Sequence, residues 1–306
     1  MNYTFHQLQV FLMVCKTESI TKASAELNLT QPAVSIQLKN FQDQFDIPLT
    51  EVIGRKLFVT DFGKKIAQAA EIILNEAHAI NYQASAYKGF LTGRLKLSVV
   101  STAKYIIPYF LSDFLKRYPQ VELILDVTNR AKVLESLEKN EVDFSLVSIL
   151  PERFAIETLE LMPNKLYLVG NTEKQYSEKV YEKTLLEKIP LIYRESGSGT
   201  RNVMENFIRQ NELKVDKKIE LMSNEAVKQA VLAGLGCSIM PMIGIKNELK
   251  NGELQIIPVK GLPLSSIWNL VWVKNKRFSP IAAAFLDYLQ KEKEQLIRTK
   301  FDWVNN

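Results

Sequence analysis

Cysteine and histidine are nearly missing from this chain of 306 residues: there are two of each, Cys15 and Cys237, His6 and His78. Two cysteines without a Cys-x-x-Cys spacing exclude a disulfide scaffold and fit a reducing compartment. No metal site and no cofactor are expected. Long apolar runs are absent too. The N-terminus offers only Phe11–Cys15, too short for a signal peptide, and the uncharged stretch Gln229–Ile245 is interrupted by glycines and Pro241, so no membrane span is expected. Nor does one sign of charge dominate: a net charge of +5 points only weakly to a polyanionic partner. What remains is 46% apolar and 24% charged residues, the composition of a globular cytoplasmic protein, in a chain long enough for two or three compact units.

The first sixty residues read as short helices. In FHQLQVFLMVC, Phe5, Leu8, Leu12 and Cys15 recur at helical spacing, and Cys15 reads as core. His6 lies on this helix, where a lone histidine is ordinarily a surface residue. Ser19 can cap ITKASAEL, with Ile20, Ala23 and Leu27 facing inward. After the tight LNLT connection, Thr30 caps a third helix predicted over Gln31–Phe45, with Pro32 in its first turn and Val34, Leu38, Phe41 and Phe45 as its core stripe. Its tip carries Gln31, Ala33, Ser35 and Gln37, small or hydrogen-bonding residues where a solvated face would carry Glu and Lys. Two short helices, a tight turn and such a tip make a helix-turn-helix whose second helix enters a DNA major groove. The segment IPLTEVIGRKLFVTDFG then reads as a wing, with a turn at Gly54 and a strand at LFVT, carrying Arg55 and Lys56 toward phosphates. Charge alone would not indicate DNA: Lys16, Lys22, Lys39, Arg55 and Lys56 are cancelled by Glu18, Glu26, Asp43, Asp46 and Glu51.

The run AxxLNLTQPAVSIQLKNFQ, the upstream LQVFLMV and the trailing Thr-Asp-Phe-Gly resemble the N-terminal domain of LysR-type transcriptional regulators. Chain length and domain order extend the resemblance over essentially the whole chain. It implies a winged helix-turn-helix (residues 1–60), a linker and dimerisation helix (61–90), and a periplasmic-binding-protein-like effector domain. Lobe I of that domain comprises 91–162 plus 265–295, lobe II 163–264, and a C-terminal tail 296–306. The fold class is thus a multidomain α+β and α/β chain. The candidate DNA contacts are Ser19, Thr30, Gln31, Pro32, Ala33, Ser35, Gln37, Lys39, Arg55 and Lys56. Two departures from the family remove expected DNA contacts: Leu49-Thr50-Glu51-Val52 stands where Leu-Phe-x-Arg is common, and Ile36 where Arg is common.

From Thr60 to about Lys88 there is no proline, Gly63 stands only in the first turn, and Thr60 can cap. Ile66, Ala70, Ile73, Ala77, Ile80, Ala84 and Tyr87 follow one another in alternating steps of four and three residues, an uninterrupted heptad seam. So regular a seam favours self-association over packing on the same chain, and His78 falls off it. The resemblance likewise implies a homodimer through this helix, further assembly to tetramers, and RNA polymerase as a further partner.

From Gly93 strands alternate with helices. RLKLSVVS, a helix YIIPYFLSDFLKRYP, VELILDV, a helix KVLESLEKNE and VDFSLVS form a βαβαβ unit with a parallel sheet. A second series follows: KLYLVG, PLIYRE, a helix from Thr200, IELMS, a helix from Asn224 and CSIMP; IWNLVWV then returns before a last helix. Two lobes joined by crossovers near Met162–Pro163 and Gly261–Pro263 place a ligand beyond the carboxyl ends of the strands. Ser101, Thr102, Thr128, Asn129 and Ser148 follow strands there. RESGSGTR, Arg194–Arg201, sits between a strand and a helix, its glycines allowing close backbone approach and Ser198, Thr200 and Arg201 supplying donors at a helix N-terminus, an anion site. It lacks the endings of a P-loop and of a dinucleotide fingerprint. Asn224, after the cap Ser223, is placed in the same cleft. RESGSGTR and SNEAVKQAVLAGLG resemble most the subgroup controlling carbon-fixation genes.

These features predict a sequence-specific regulator of double-stranded DNA transcription, modulated by a small polar or anionic effector. Two other classes compete. An enzyme using Ser196 or Ser198 needs a base, and both histidines fall in the N-terminal helices, so no catalytic residue is named. A solute-binding protein for a transporter would not need a helix-turn-helix.

Overall fold

The computed structural model describes residues 2–54, 56–87, 91–216 and 219–304, except for the side chains at 75, 78, 79, 81–87 and 304. The chain divides into two compact units, Met1–Phe90 and Leu91–Asn306. Among the described residues, no helix is long and apolar enough to cross a membrane.

The first unit is built of α1 (Phe5–Thr17), α2 (Ile20–Glu26), α3 (Gln31–Gln42), the hairpin β1 (Thr50–Ile53) and β2 (Lys56–Val59), and α4 (Asp61–Tyr87). Each helix start is capped as its sequence requires: Thr4, Ser19, Thr30 and Thr60 accept hydrogen bonds from the backbone N–H groups of Gln7, Lys22, Ala33 and Gly63. Helix α3 ends earlier than its apolar spacing suggests, at Gln42. The Gln42 carboxamide oxygen there accepts from both the backbone N–H and the hydroxyl of Thr50, at 3.0 and 2.6 Å. Thr50, a departure from the resembled family, thus ties the root of the wing to α3. Phe45 leaves the helix and still packs on the core, edge to face with Phe41 and Phe62.

Helix α1 buries Leu8, Val10, Phe11 and Val14, while Phe5 is 58% exposed. A single stripe through Phe5, Leu12 and Cys15 misses this arrangement because α1 is covered on two sides, by α3 and by the first turns of α4. The same packing corrects the seam. Ala70 and Leu74 are buried in the core of their own unit, and Ile66 is half-buried against it. Ile66 and Ala70 are therefore core positions.

The second unit has two lobes. Lobe I holds β3 (Gly93–Val100), α5 (Ile107–Arg117), β4 (Val121–Thr128), α6 (Arg130–Glu138) and β5 (Phe144–Val147), with β3 parallel to both β4 and β5. The long β6 (Ile156–Asn171) leads into lobe II: α7 (Leu185–Lys188), β7 (Ile192–Arg194), α8 (Gly199–Gln210), β8 (Ile219–Leu221), α9 (Asn224–Leu232), β9 (Ser238–Pro241), α10 (Lys246–Lys250) and β10 (Leu254–Ile257). The chain returns through β11 (Leu264–Val273) and closes with α11 (Pro280–Phe301). The β6 strand passes through Met162–Pro163 without a break, and β11 pairs antiparallel beside it, Ile267 opposite Pro163, with a register shift at Trp268/Asn269. The return crossing is thus at Ile267–Trp268; Leu262, at the site predicted for it, packs in the core of lobe II.

Lobe I closes around Phe110, Phe114, Phe144, Trp268 and Phe285. Leu296 and Phe301 belong to the same core, at 6% and 2% exposure, so residues beyond 295 are part of lobe I rather than a tail. Burying each such side chain contributes about 1.5–3 kcal/mol. Cys15 and Cys237 are unpaired thiols, and burial pushes both up, Cys15 to about 12. Neither is a reactive thiolate.

Candidate functional site

The strand ends of the two lobes meet at a small pocket. From lobe I, Ser101 and Thr102 follow β3, Asn129 and Arg130 open α6, and Ser148 follows β5; from lobe II come Arg194 at the end of β7 and Ser198, Gly199 and Thr200 at the start of α8. Six predicted residues, Ser101, Thr102, Asn129, Ser148, Ser198 and Thr200, are brought together here.

Two helix N-termini face the pocket from opposite lobes. Asn129 caps α6 by accepting from the Lys132 N–H at 3.1 Å, and Ser198 caps α8 by accepting from the Arg201 N–H at 3.5 Å. Such ends present unpaired N–H groups and the positive pole of the helix dipole. Gly197 lets them approach: its φ is +85°, and a Cβ there would lie 3.1 Å from the Cβ of Ala131 in α6.

Arg194 is 4% exposed. Its Nε and Nη2 grip both carboxylate oxygens of the adjacent, equally buried Glu195, at 2.7 and 2.9 Å, and Nη2 also donates across the cleft to Ser101 Oγ at 3.0 Å. Arg130 donates to the carbonyls of Ile149 and Leu150, at 3.2 and 3.0 Å. Burial and the like charge of Arg153 hold its pKa below the ordinary value, although a guanidinium stays charged at neutral pH. One cation compensated by a neighbour, a second held by carbonyls, two helix N-termini and several hydroxyls make a lining whose chemistry suits a small anion.

Three predicted effector contacts lie elsewhere. Arg201 turns away: it pairs with Glu205 at 2.7 Å and Glu220 at 3.0 Å, and donates to the Arg194 carbonyl. Thr128 ends β4 without lining the pocket, and Asn224 is buried beside Gly244 and Tyr105. Sequence reasoning missed Arg130 and Arg194 as contacts. The signal for Arg194 was its place at the carboxyl end of a strand; for Arg130, its place next to a cap.

On α3, Thr30, Gln31, Pro32, Ser35 and Lys39 are exposed, whereas Ala33 and Gln37 are half-buried on the flanks. Ser19 is half-buried, and its oxygen accepts the cap bond of α2. Lys56 is exposed on β2, which with β1 makes the wing a hairpin rather than one strand; Arg55 lies outside the described residues. Along α4, Ile73 is 37% and Ile80 68% exposed, and Ala77 is half-buried; the side chains of Ala84 and Tyr87 are outside the description. Ile72, Ile73 and Ile80 thus leave apolar side chains exposed on α4, off the face that Ala70 and Leu74 turn to their own core. With α4 as a subunit seam, Ile80→Arg is expected to leave the chain monomeric in sedimentation equilibrium with the fold of each unit intact. A fully dimeric variant overturns the assignment of this stretch as a subunit seam.

Residues 5–64 match the bacterial regulatory helix-turn-helix protein, lysR family, and residues 88–294 match the LysR substrate binding domain. The chain is 37% identical over 291 residues to the HTH-type transcriptional activator CmpR of Synechocystis sp. strain PCC 6803, covering 94% of this chain and 95% of the relative. To the RuBisCO operon transcriptional regulator of Acidithiobacillus ferrooxidans it is 36% identical over 287 residues, 94% and 93% of the two chains. Among solved structures, the regulatory domain of Synechocystis PCC6803 CcmR in complex with 2-PG superposes with a TM-score of 0.64 at 33% identity, over 66% of this chain and 98% of that one. The chain belongs to the LysR family of transcriptional regulators, with carbon-fixation regulators among its relatives.

Proposed function

We propose that this regulator senses a small, multiply charged anion of the 2-PG type in the pocket between α6 and α8, and acts in the cytoplasm on genes of carbon assimilation. The observation that carries the reading is the convergence of two helix N-termini from different lobes with Arg130 and Arg194 on one small pocket. The 2-PG complex of the CcmR regulatory domain, a relative of the same pocket-bearing unit, supports it. Ser101, Thr102 and Thr200 hydroxyls donate to the anion, Arg194 and Arg130 supply charge, and Ser198 holds the α8 terminus in place.

DNA is read by α3, with Gln31 and Ser35 toward base edges and Thr30, Lys39, Ser19 and Lys56 toward phosphates; Pro32 and Ala33 add apolar contacts, and Gln37 reaches from the flank. Subunits pair through α4 from Ile73 onward. An effector regulates only through different affinities for two states of the protein. The Arg194–Ser101 hydrogen bond already spans the lobes, so an anion binding at both its ends changes the energy of lobe closure.

No chemical turnover is proposed. Ser198 spends its oxygen on a helix cap, and no histidine occurs between residues 91 and 306 to activate it.

Thermal shift and calorimetry of the full chain with 2-PG test this reading. Binding stabilises by mass action, about 2.7 kcal/mol at a hundred-fold excess over Kd. Thr200→Ala is expected to weaken binding about ten-fold, the value of one charge-assisted hydrogen bond, and to leave operator affinity without effector unchanged. If Thr200→Ala binds 2-PG like the wild type, Ser198-Gly199-Thr200 is only a helix start.

A further inference from the structure

Helix α3 has a face that the core does not use. Val34, Leu38 and Phe41 are buried at 0%, 4% and 0% exposure. At about 100° per residue, Ile36 projects about 200° from Val34, directly away from that core. It is 57% exposed. Pro32 and Asn40, one turn to either side, and Ser35 and Lys39 beside it are exposed as well. Single exposed apolar residues are ordinary on protein surfaces. What distinguishes Ile36 is its position opposite the core on the helix that docks in the groove, with Ser35 and Lys39, suited to polar contacts, on one flank.

We propose that Ile36 is a specificity-determining residue that reads the 5-methyl group of a thymine. An isoleucine side chain has no donor or acceptor, so it makes no bond to guanine O6 and N7, to the adenine N6 and N7 edge or to cytosine N4. Thymine alone presents an apolar group in the major groove. Opposite any other base, the branched side chain would cover polar edge atoms and strip them of water without replacing their hydrogen bonds. Ile36 therefore selects by attraction to one base and by the desolvation of the other three. Arginine at the same position would invert the choice, since its fork bonds guanine O6 and N7 together.

This inference rests on α3 being the helix that enters the groove, and the experiment separates the two. An operator is selected from random duplexes by the full chain, and each thymine of the half-sites is replaced singly by deoxyuridine, which lacks only the methyl group. The wild type is expected to lose about 4-fold in affinity at one thymine position per half-site, and about 15-fold when both symmetric positions are replaced, as burial of one methyl per half-site requires. Ile36→Ala is expected to bind the thymine and uracil operators alike, and Ile36→Arg to favour guanine at that position in a fresh selection.

The uracil series on the wild type needs no variant to fold. If no thymine shows methyl dependence, or if Ile36→Ala keeps it, the proposal is overturned. Gln31→Ala then tells which part failed: lost discrimination leaves α3 as the reading helix without a methyl contact at Ile36, and unchanged discrimination removes α3 from the groove altogether.

Discussion

Replacing Arg194 and Glu195 together, as Arg194→Met with Glu195→Gln, is expected to lower affinity for 2-PG about a hundred-fold while leaving the protein about as stable as the wild type. The paired design follows from the geometry. Both side chains are nearly inaccessible, at 4% and 5% exposure, and joined through two hydrogen bonds. Arg194→Ala alone would strand the Glu195 carboxylate in a buried site, at a cost of about 3–5 kcal/mol. Loss of binding would then be indistinguishable from loss of fold. Removing both charges leaves no orphan, and such replacements are often neutral for stability. The anion nevertheless loses its principal cation, a loss of about 2–5 kcal/mol for a desolvated charged contact.

Glu195→Gln alone acts in the opposite direction. It frees the guanidinium from its permanent counter-charge, so an anion should bind about ten-fold tighter and produce a larger thermal shift, at some loss of stability without ligand. Calorimetry on the two variants checks both signs. Equal 2-PG affinity in the double variant and the wild type removes Arg194 from the pocket's function.

Gly63→Ala is expected to destabilise the DNA-binding unit by about 3 kcal/mol. In most helix positions this substitution stabilises, by about 1 kcal/mol of propensity, so the sign itself is the test. A Cβ on Gly63 would lie 2.0 Å from the Leu49 carbonyl oxygen, 2.9 Å from its carbon and 3.0 Å from Val59 Cγ1. The first two are backbone atoms and have no rotamer to yield. The same carbonyl accepts the Thr60 N–H at 3.1 Å, and Leu49 is fully buried. Relieving the clash therefore means moving the start of α4 away from the root of the wing. Denaturant unfolding of the full chain should show the first transition shifted, specific DNA binding lost at moderate temperature, and 2-PG binding retained. A variant more stable than the wild type would show that the glycine allows no close approach.

Local chemistry made the elements legible. Caps at Ser19, Thr30 and Thr60, Pro32 in a first turn, and strands followed by Ser101 and Ser148 depend on residues close in the chain, and the helix-turn-helix and the alternating lobes follow from them. The glycine turn before α8 was readable for the same reason: only small residues allow the backbone that close to another helix. Even Arg201 carried a local warning, since Glu205 stands four residues on and captures it along the helix.

What sequence periodicity does not contain is the identity of the partner that buries a stripe. Ile66, Ala70, Ile73 and Ile80 form one heptad seam in sequence, yet Ala70 is closed over by α1 of its own unit while Ile80 stays 68% exposed. The same ambiguity made Phe5 look like core and Phe301 like part of a tail. Sequence alone determined which residues are apolar, where α2, α3 and α4 begin, and that two lobes would bring strand ends together. Only the tertiary structure decided that Arg194 rather than Arg201 faces the pocket, and that α4 spends its first turns on its own core. A side chain's direction on its element is local, but what stands opposite it depends on contacts between residues far apart in the chain.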